Sequence, residues 1–324
     1  MSGAVAVPVR TLRPLIGPDA GLAVLLLLAL AAAPPLLRMA GHPFWPDVLN
    51  RIMVTGIAAT SLSLLISTAG LISFGHAVFL GLGAYAVGIA SDRGVDNGFA
   101  QLALAVGGSA AFALLSGLVI LRTRGVHFIM ITMAFAQMAY FLMVGLKDFG
   151  GDDGLSINTR SQFPLLDLDD RSTLYYVTLA CLAVTLLLVG RLRASRFGLV
   201  LLAAKGSERR AAASGFDPYR YRLAAYVIAG SMCGLAGFLN ANFSDFVTPN
   251  VMGWQNSGEL MFMVILGGAS ALAGPLVGAG AFLLIEEVLG SFTIYWHFWF
   301  GLFLIGVVLF ARGGLVGLLI RTRR

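Results

Sequence analysis

Apolar positions in this chain fall into long unbroken runs, neither alternating nor confined to one helical face. Ten segments are predicted to lie in a membrane: about 20–37, 48–69, 71–91, 99–121, 126–146, 173–190, 223–243, 257–272, 274–290 and 295–311. A hydrocarbon layer about 30 Å thick demands roughly 20 apolar residues per helical crossing, and most of these runs approach that length. The polar faces that a water-soluble helix needs are missing from them. The predicted fold is therefore all-α, a single polytopic transmembrane domain over 1–324. Segments 71–91 and 257–290 are rich in glycine and abut their neighbours, which leaves two readings open for each, a full crossing or a broken or half-membrane element.

Composition agrees with that reading, at 58% hydrophobic and 12% charged residues with 40 glycines in 324 positions. A net charge of +6 would suit nucleic acid in a soluble protein. In a membrane chain basic residues first report orientation, and no nucleic-acid partner is expected. Segment 191–222 holds Arg191, Arg193, Arg196, Lys205, Arg209, Arg210, Arg220 and Arg222 against Glu208 and Asp217. Segment 147–172 holds Asp148, Asp152, Asp153, Asp167, Asp169 and Asp170 against Lys147, Arg160 and Arg171. The first is predicted cytoplasmic and the second external. Arg10, Arg13, Arg122, Arg124, Arg312, Arg321, Arg323 and Arg324 then also fall inside, and an even number of crossings puts both termini in the cytoplasm. The run ending "LALAAAPP" has the look of a cleavable signal, but Pro34 directly after Ala33 argues against cleavage. Cys181 and Cys233 lie in apolar runs and read as small core residues, with no disulfide or metal site expected.

The most polar internal stretch is "AAKGSERRAAASGFDPYRYR", Ala203–Arg222. Ser207 is placed to cap a helix, Glu208–Ser214 are good helix formers, and Gly215 is a natural stop. Asp217-Pro218 then starts the next span. A helix of two turns is unstable alone, so it must dock on something or be no more than a solvated loop that anchors orientation. Ala211, Ala212 and Ala213 give it a slim profile suited to a groove, with Glu208, Arg209 and Arg210 as charged contacts. Composition leaves both readings open.

Polar residues at membrane depth include Ser61, Ser63, Ser73, His76, Thr132, Gln137, Asn240, Asn242, Glu286 and Glu287. Ser73, His76, Thr132 and Gln137 are the candidates for lining a pathway, because polar groups in lipid are costly. His76 also suits a helix cap or an interhelical bond, and Glu286 and Glu287 lie near the outer end of their span. Small-residue pairs four apart, Ala77/Gly81, Gly230/Gly234 and Gly274/Gly278, predict close helix packing. "GLGAY" at 81–85 recurs as "GAGAF" at 278–282, an offset that also aligns Gly70 with Gly267 and Ser73 with Ser270 and suggests an internal repeat. No phosphate-loop motif is present and no H-E-x-x-H occurs among His42, His76, His127 and His297, so the chain is not expected to be an enzyme. The rival class is an intramembrane serine protease pairing Ser270 with His297.

Several blocks, in order, carry a resemblance: "LISFGHAVFLGLGAYAVG" (71–88), "RTRGVHFIMITMAFAQM" (122–138), "GGDDGLS" (150–156), "SRFGLVLLAAKGSERRAAASGFDPYRYRLAAYVIAGSMCGLAG" (195–237) and "GGASALAGPLVGAGA" (267–281). The chain resembles the LivM-type permease subunits of ABC importers for branched-chain amino acids. The resemblance implies a type II ABC-importer fold in a bacterial inner membrane. It implies that 191–222 is a coupling loop whose helix Glu208–Gly215 docks on an ATPase. Lys205, Ser207, Glu208, Arg209, Arg210, Ala212, Gly215 and Asp217 would then be the coupling residues. Implied partners are a homologous LivH-type permease, two cytoplasmic ATPase subunits that hold ATP and Mg, a periplasmic substrate-binding protein and the lipid bilayer. No cofactor would bind to this chain itself. Related permeases carry urea, short amides or other small solutes, so these stand as alternative substrates. Gly206-Ser207 and Ser270-Ala271 depart from the pairs the family often has there.

Overall fold

A computed structural model of the protein describes residues 18–39, 44–157, 159–164, 167–292, 294–310 and 313–321. Arg10, Arg13, His42, Arg312, Arg323 and Arg324 lie outside these residues. The helices are α1 (Pro18–Met39), α2 (Trp45–Leu64), α3 (Ala77–Asp92), α4 (Gly98–Ile120), α5 (Val126–Gly145), α6 (Arg171–Ala194) and α7 (Arg196–Gly206). They continue as α8 (Glu208–Ala213), α9 (Pro218–Ser244), α10 (Trp254–Gly267), α11 (Gly274–Phe292), α12 (Trp296–Phe310) and α13 (Gly314–Arg321). Every predicted membrane segment contains a helix, though 71–91 is helical only from Ala77 and 257–272 only as far as Gly267. Among the described residues, seven helices are long and apolar enough to cross a bilayer. Three of the ten predicted spans are shorter, with 16 residues in α3, 14 in α10 and 15 in α12. At 1.5 Å per residue these reach only about 21–24 Å. The sequence count of ten crossings is therefore seven long helices and three short ones.

The shortness of α3 has a cause in its lead-in. α2 ends in a π-helical turn, Leu65–Ala69, which Gly70 stops at φ +70°. From Gly70 to His76 the chain is not helical, and α3 begins at Ala77. Irregular backbone inside a membrane survives only where side chains replace the lost backbone bonds. Here they do. The Phe74 N–H donates to Thr132 Oγ1 at 3.2 Å, and the Ala77 N–H donates to Ser257 Oγ at 3.0 Å. His76, fully buried, bonds through Nε2 to Ser61 Oγ of α2 at 2.8 Å. Of the two roles expected for it, cap or interhelical bond, it takes the second, and its side chain makes no cap bond to α3. A second break, Gly268 to Ala273, separates α10 from α11.

α9 is the central helix, with its Gly230/Gly234 face against Ala113 and Ser109 of α4. Its Gly234 carbonyl oxygen would stand 2.2 Å from a Cβ added to Gly83 of α3, so the two backbones nearly touch. α4 lies along α9 as α11 lies along α2, and α3 packs on α4 as α10 packs on α11. The two halves that correspond are thus α2–α5 and α9–α12. The "GLGAY"/"GAGAF" echo instead pairs α3 with α11, whose starts Ala77 and Gly274 keep its offset, and the packing does not follow it.

The two ends of α9 differ in character. At the Pro218 end lie α7 and α8, so segment 191–222 is mostly helix where a loop around one short helix is expected. At the Ser244 end, β1 (Leu155–Ser156) pairs antiparallel with β2 (Phe246–Val247), Leu155 opposite Val247. Arg160 of the acidic segment donates to both carboxylate oxygens of Asp245, at 2.8 and 2.6 Å, and to the carbonyls of Leu168 and Asp169. That bidentate bond raises the Arg160 pKa above its ordinary value.

Candidate functional site

α8 is bounded by local chemistry at both ends. Ser207 Oγ accepts from the Arg210 N–H at 3.4 Å. At the other end Gly215, at φ +85°, donates to the Ala212 carbonyl at 3.0 Å, and Phe216 donates to the Ala211 carbonyl at 3.3 Å. That pair of bonds is the left-handed C-terminal cap that glycine permits at no steric cost. Asp217 then caps α9, accepting from the Tyr219 N–H at 3.1 Å, with Pro218 in the first turn.

The residues of this segment divide by direction. Ala211 is buried beneath α8, while Ala212, Ala213, Arg209 and Arg210 are exposed. Glu208 turns inward. Its carboxylate bonds to Arg222 of α9 and, at 2.5 Å, to Arg124 of the α4–α5 turn. Lys205 also turns inward, its Nζ donating to the Ile66 and Ser67 carbonyls at 3.0 Å each. Those carbonyls lie in the π-helical turn that ends α2, where orphan acceptors favour a cation. The stem of Lys205 covers Gly70 so closely that an added Cβ would meet its Cγ at 2.9 Å. Thus Ser207, Gly215 and Asp217 shape the helix, Lys205 and Glu208 fasten it, and Arg209, Arg210 and Ala212 face outward. Beside them a groove of about 760 Å³ runs between α7 and α8, lined by Leu199, Ala203, Arg210, Ala211, Ser214 and Phe216 among others.

Of the membrane-depth candidates, Ser73, His76 and Thr132 are buried together around the break before α3. The Thr132 and Ser73 hydroxyls accept from the irregular backbone, Thr132 Oγ1 donating in addition to the Ile129 carbonyl at 2.7 Å. His76 bonds Ser61 of α2 through Nε2, and its buried Nδ1 has no hydrogen-bond partner among the described residues. Gln137 stands five residues further along α5, half-buried and outside that cluster. Ser270 and His297 do not meet. Ser270 precedes α11 and His297 follows it, and the 19 residues of α11 separate them by about 28 Å. Ser270 instead offers its carbonyl to Arg193 at 3.4 Å. The paired protease site is thereby excluded.

Sequence reasoning missed the partners of its own charges. Arg124, Arg193 and Arg222 count there only as orientation signals, yet Arg193 bonds Ser63 Oγ at 2.7 Å and the other two hold Glu208. It also passed over Glu259, half-buried on α10, and Arg51, which pairs with Glu286 at 3.2 Å.

Residues 46–312 match the family described as branched-chain amino acid transport system, permease component. The chain is similar to the high-affinity branched-chain amino acid transport system permease protein LivM of Salmonella typhimurium and to that of Escherichia coli. Each is 26% identical over 293 residues, covering 83% of this chain and 68% of the relative. No solved structure matches. Helical content, apolar helices and a match over most of the length agree, and the chain belongs to the family of multi-pass permease components of branched-chain amino acid transport systems.

Proposed function

We propose that this chain is one wall of an ATP-driven importer carrying branched-chain amino acids across a bacterial inner membrane into the cytoplasm. It works with a second, homologous permease, two cytoplasmic ATPase subunits and a periplasmic binding protein. ATP and Mg held by the ATPases supply the driving free energy. The α8 face is cytoplasmic and the β1–β2 face periplasmic, with both termini in the cytoplasm, as the loop charges ask.

The observation that carries the mechanism is the two-sided character of α8. Its outer side, Arg209, Arg210 and Ala212, is bare. Its inner side is tied by Glu208 to α9 and to the α4–α5 turn, and Lys205 just before it holds the end of α2. A docked ATPase that closes on α8 would move three elements of the bundle at once. The end of α2 leads through Gly70 into the broken stretch before α3, so the displacement reaches the middle of the membrane. Specificity is shared with the binding protein, which presents the amino acid at the opposite face.

The test is ATP-dependent uptake of leucine, isoleucine and valine into vesicles holding both permeases and both ATPases, with the binding protein outside. Uptake of urea or a short amide with no leucine uptake would sink the substrate assignment. Cysteines at Ser207 and Asp169 should label from opposite sides of the membrane, and labelling of both from one side would sink the orientation.

A further inference from the structure

α10 carries one acidic side chain far from either membrane face. It ends at Gly267, and three residues on, inside the Gly268–Ala273 break, Ser270 meets Arg193 in the basic last turn of α6, which marks that end as the α8 face. Glu259 stands eight residues back from Gly267, about 12 Å along the axis, in a hydrocarbon layer about 30 Å thick. Its neighbours confirm the depth. Ser257 receives the first N–H of α3, and Gly258 lies 3.7 Å from the Phe74 ring for an added Cβ, both at the break in the middle of the bundle.

Beside Glu259 runs a groove of about 650 Å³ between α10 and α12, within the range of small-molecule sites. Its walls are mostly apolar, built from Phe74, Phe262, Phe282, Phe300 and Leu304, with Gln255 and His297 as the other polar members. The cation within electrostatic reach of Glu259 is Arg51, already bonded to Glu286. No side chain among the described residues donates a hydrogen bond to the Glu259 carboxylate. A carboxylate so placed is costly against lipid, so the groove must face water or a polar ligand. We infer that this groove is the chain's wall of the substrate path, with Glu259 receiving the α-ammonium of the amino acid and the aromatic rings its branched side chain. The inference rests on the transport reading above. It deepens it, because an aliphatic amino acid is the solute that needs one anion in an apolar groove.

Two measurements on the reconstituted importer test it. Glu259→Gln should cut leucine uptake about tenfold or more, because the polar partner of the ammonium is gone, while Glu259→Asp restores most of it. Leu304→Cys should react with a small water-soluble thiol reagent, and saturating leucine should slow that reaction with Glu259 present but not with Gln. Undiminished leucine uptake by Glu259→Gln would overturn the ammonium assignment alone. Reaction of Leu304→Cys only with a lipid-soluble reagent would place the groove against lipid and overturn it too. An unmodified importer that carries another solute and no leucine would fail the transport reading instead.

Discussion

Replacing Glu208 with Gln removes one charge at the point where α8 is tied to the bundle. The carboxylate holds two guanidiniums of unequal standing: the Arg222 side chain is 15% exposed and that of Arg124 76%. A hydrogen bond to a charged group contributes about 1.5–3 kcal/mol where water is largely excluded, as at Arg222. At Arg124 solvent screens the pair to about 0–1 kcal/mol. Gln keeps the shape and one acceptor, so the expected loss in docking is about 2 kcal/mol, a shift of roughly thirtyfold toward the undocked state. Six residues cannot stay helical once undocked. The amide protons of Ala211–Gly215 should therefore exchange roughly thirtyfold faster, since local opening governs their protection. Hydrogen exchange on a peptide spanning 208–216, with the permease in lipid discs, reads this directly. Uptake per ATP hydrolysed should fall in the same variant, with hydrolysis itself retained. Arg124→Gln should change exchange far less. Unaltered exchange and coupling in Glu208→Gln would refute the reasoning, leaving the buried Ala211 contact to hold α8.

Two further outcomes follow from backbone geometry. Gly83→Val should lower the thermal midpoint of the detergent-solubilised protein, since overpacking costs about 1–3 kcal/mol. Gly107→Val should not, with nothing within 4 Å of its added Cβ; equal behaviour of the pair would remove the close α3–α9 approach as a source of stability. Asp245 is the one non-glycine among the described residues at positive φ, +54°. Asn tolerates that conformation, so Asp245→Asn isolates the ion pair with Arg160 and should cost about 1 kcal/mol. Asp245→Ala should cost more, and identical stability of the two would mean the left-handed backbone carries no penalty.

The boundaries of α8 were legible in the sequence because caps are local: Ser207, Gly215 and Asp217-Pro218 each act within three residues. Glycine content only raised a broken 71–91 as one alternative, and the place of the break, Gly70–His76, was not legible. Arg124 and Arg222 were not legible either, because nothing in residues 84 and 14 positions away from Glu208 marks them as its partners; every basic residue reads equally well as an orientation charge. Glu259 was hidden by a shifted boundary. In the predicted segment 257–272 it sits two residues from the edge, where an acid can reach water. The structure starts α10 at Trp254, after a 3₁₀ turn Pro249–Met252 whose Met252 is fully buried, so the approach to α10 is already inside the bundle and Glu259 is well within it. Periodicity measures apolar length, not the depth at which a helix begins.

That depth connects the two ends of the molecule's middle. Between Gly70 and His76 the backbone has given up its helical bonds and depends on Thr132, Ser257 and Ser61 at one end and on the Lys205-capped turn of α2 at the other. A stretch held by a few side-chain bonds yields before a helix with one backbone bond per residue does. Displacement applied through Lys205 would thus be absorbed by this stretch and not by stretching α2 or α3. Phe74, within the stretch, is also a wall of the groove beside Glu259. A movement of α8 would in this way reach the groove through seven residues that need no helix to be unwound.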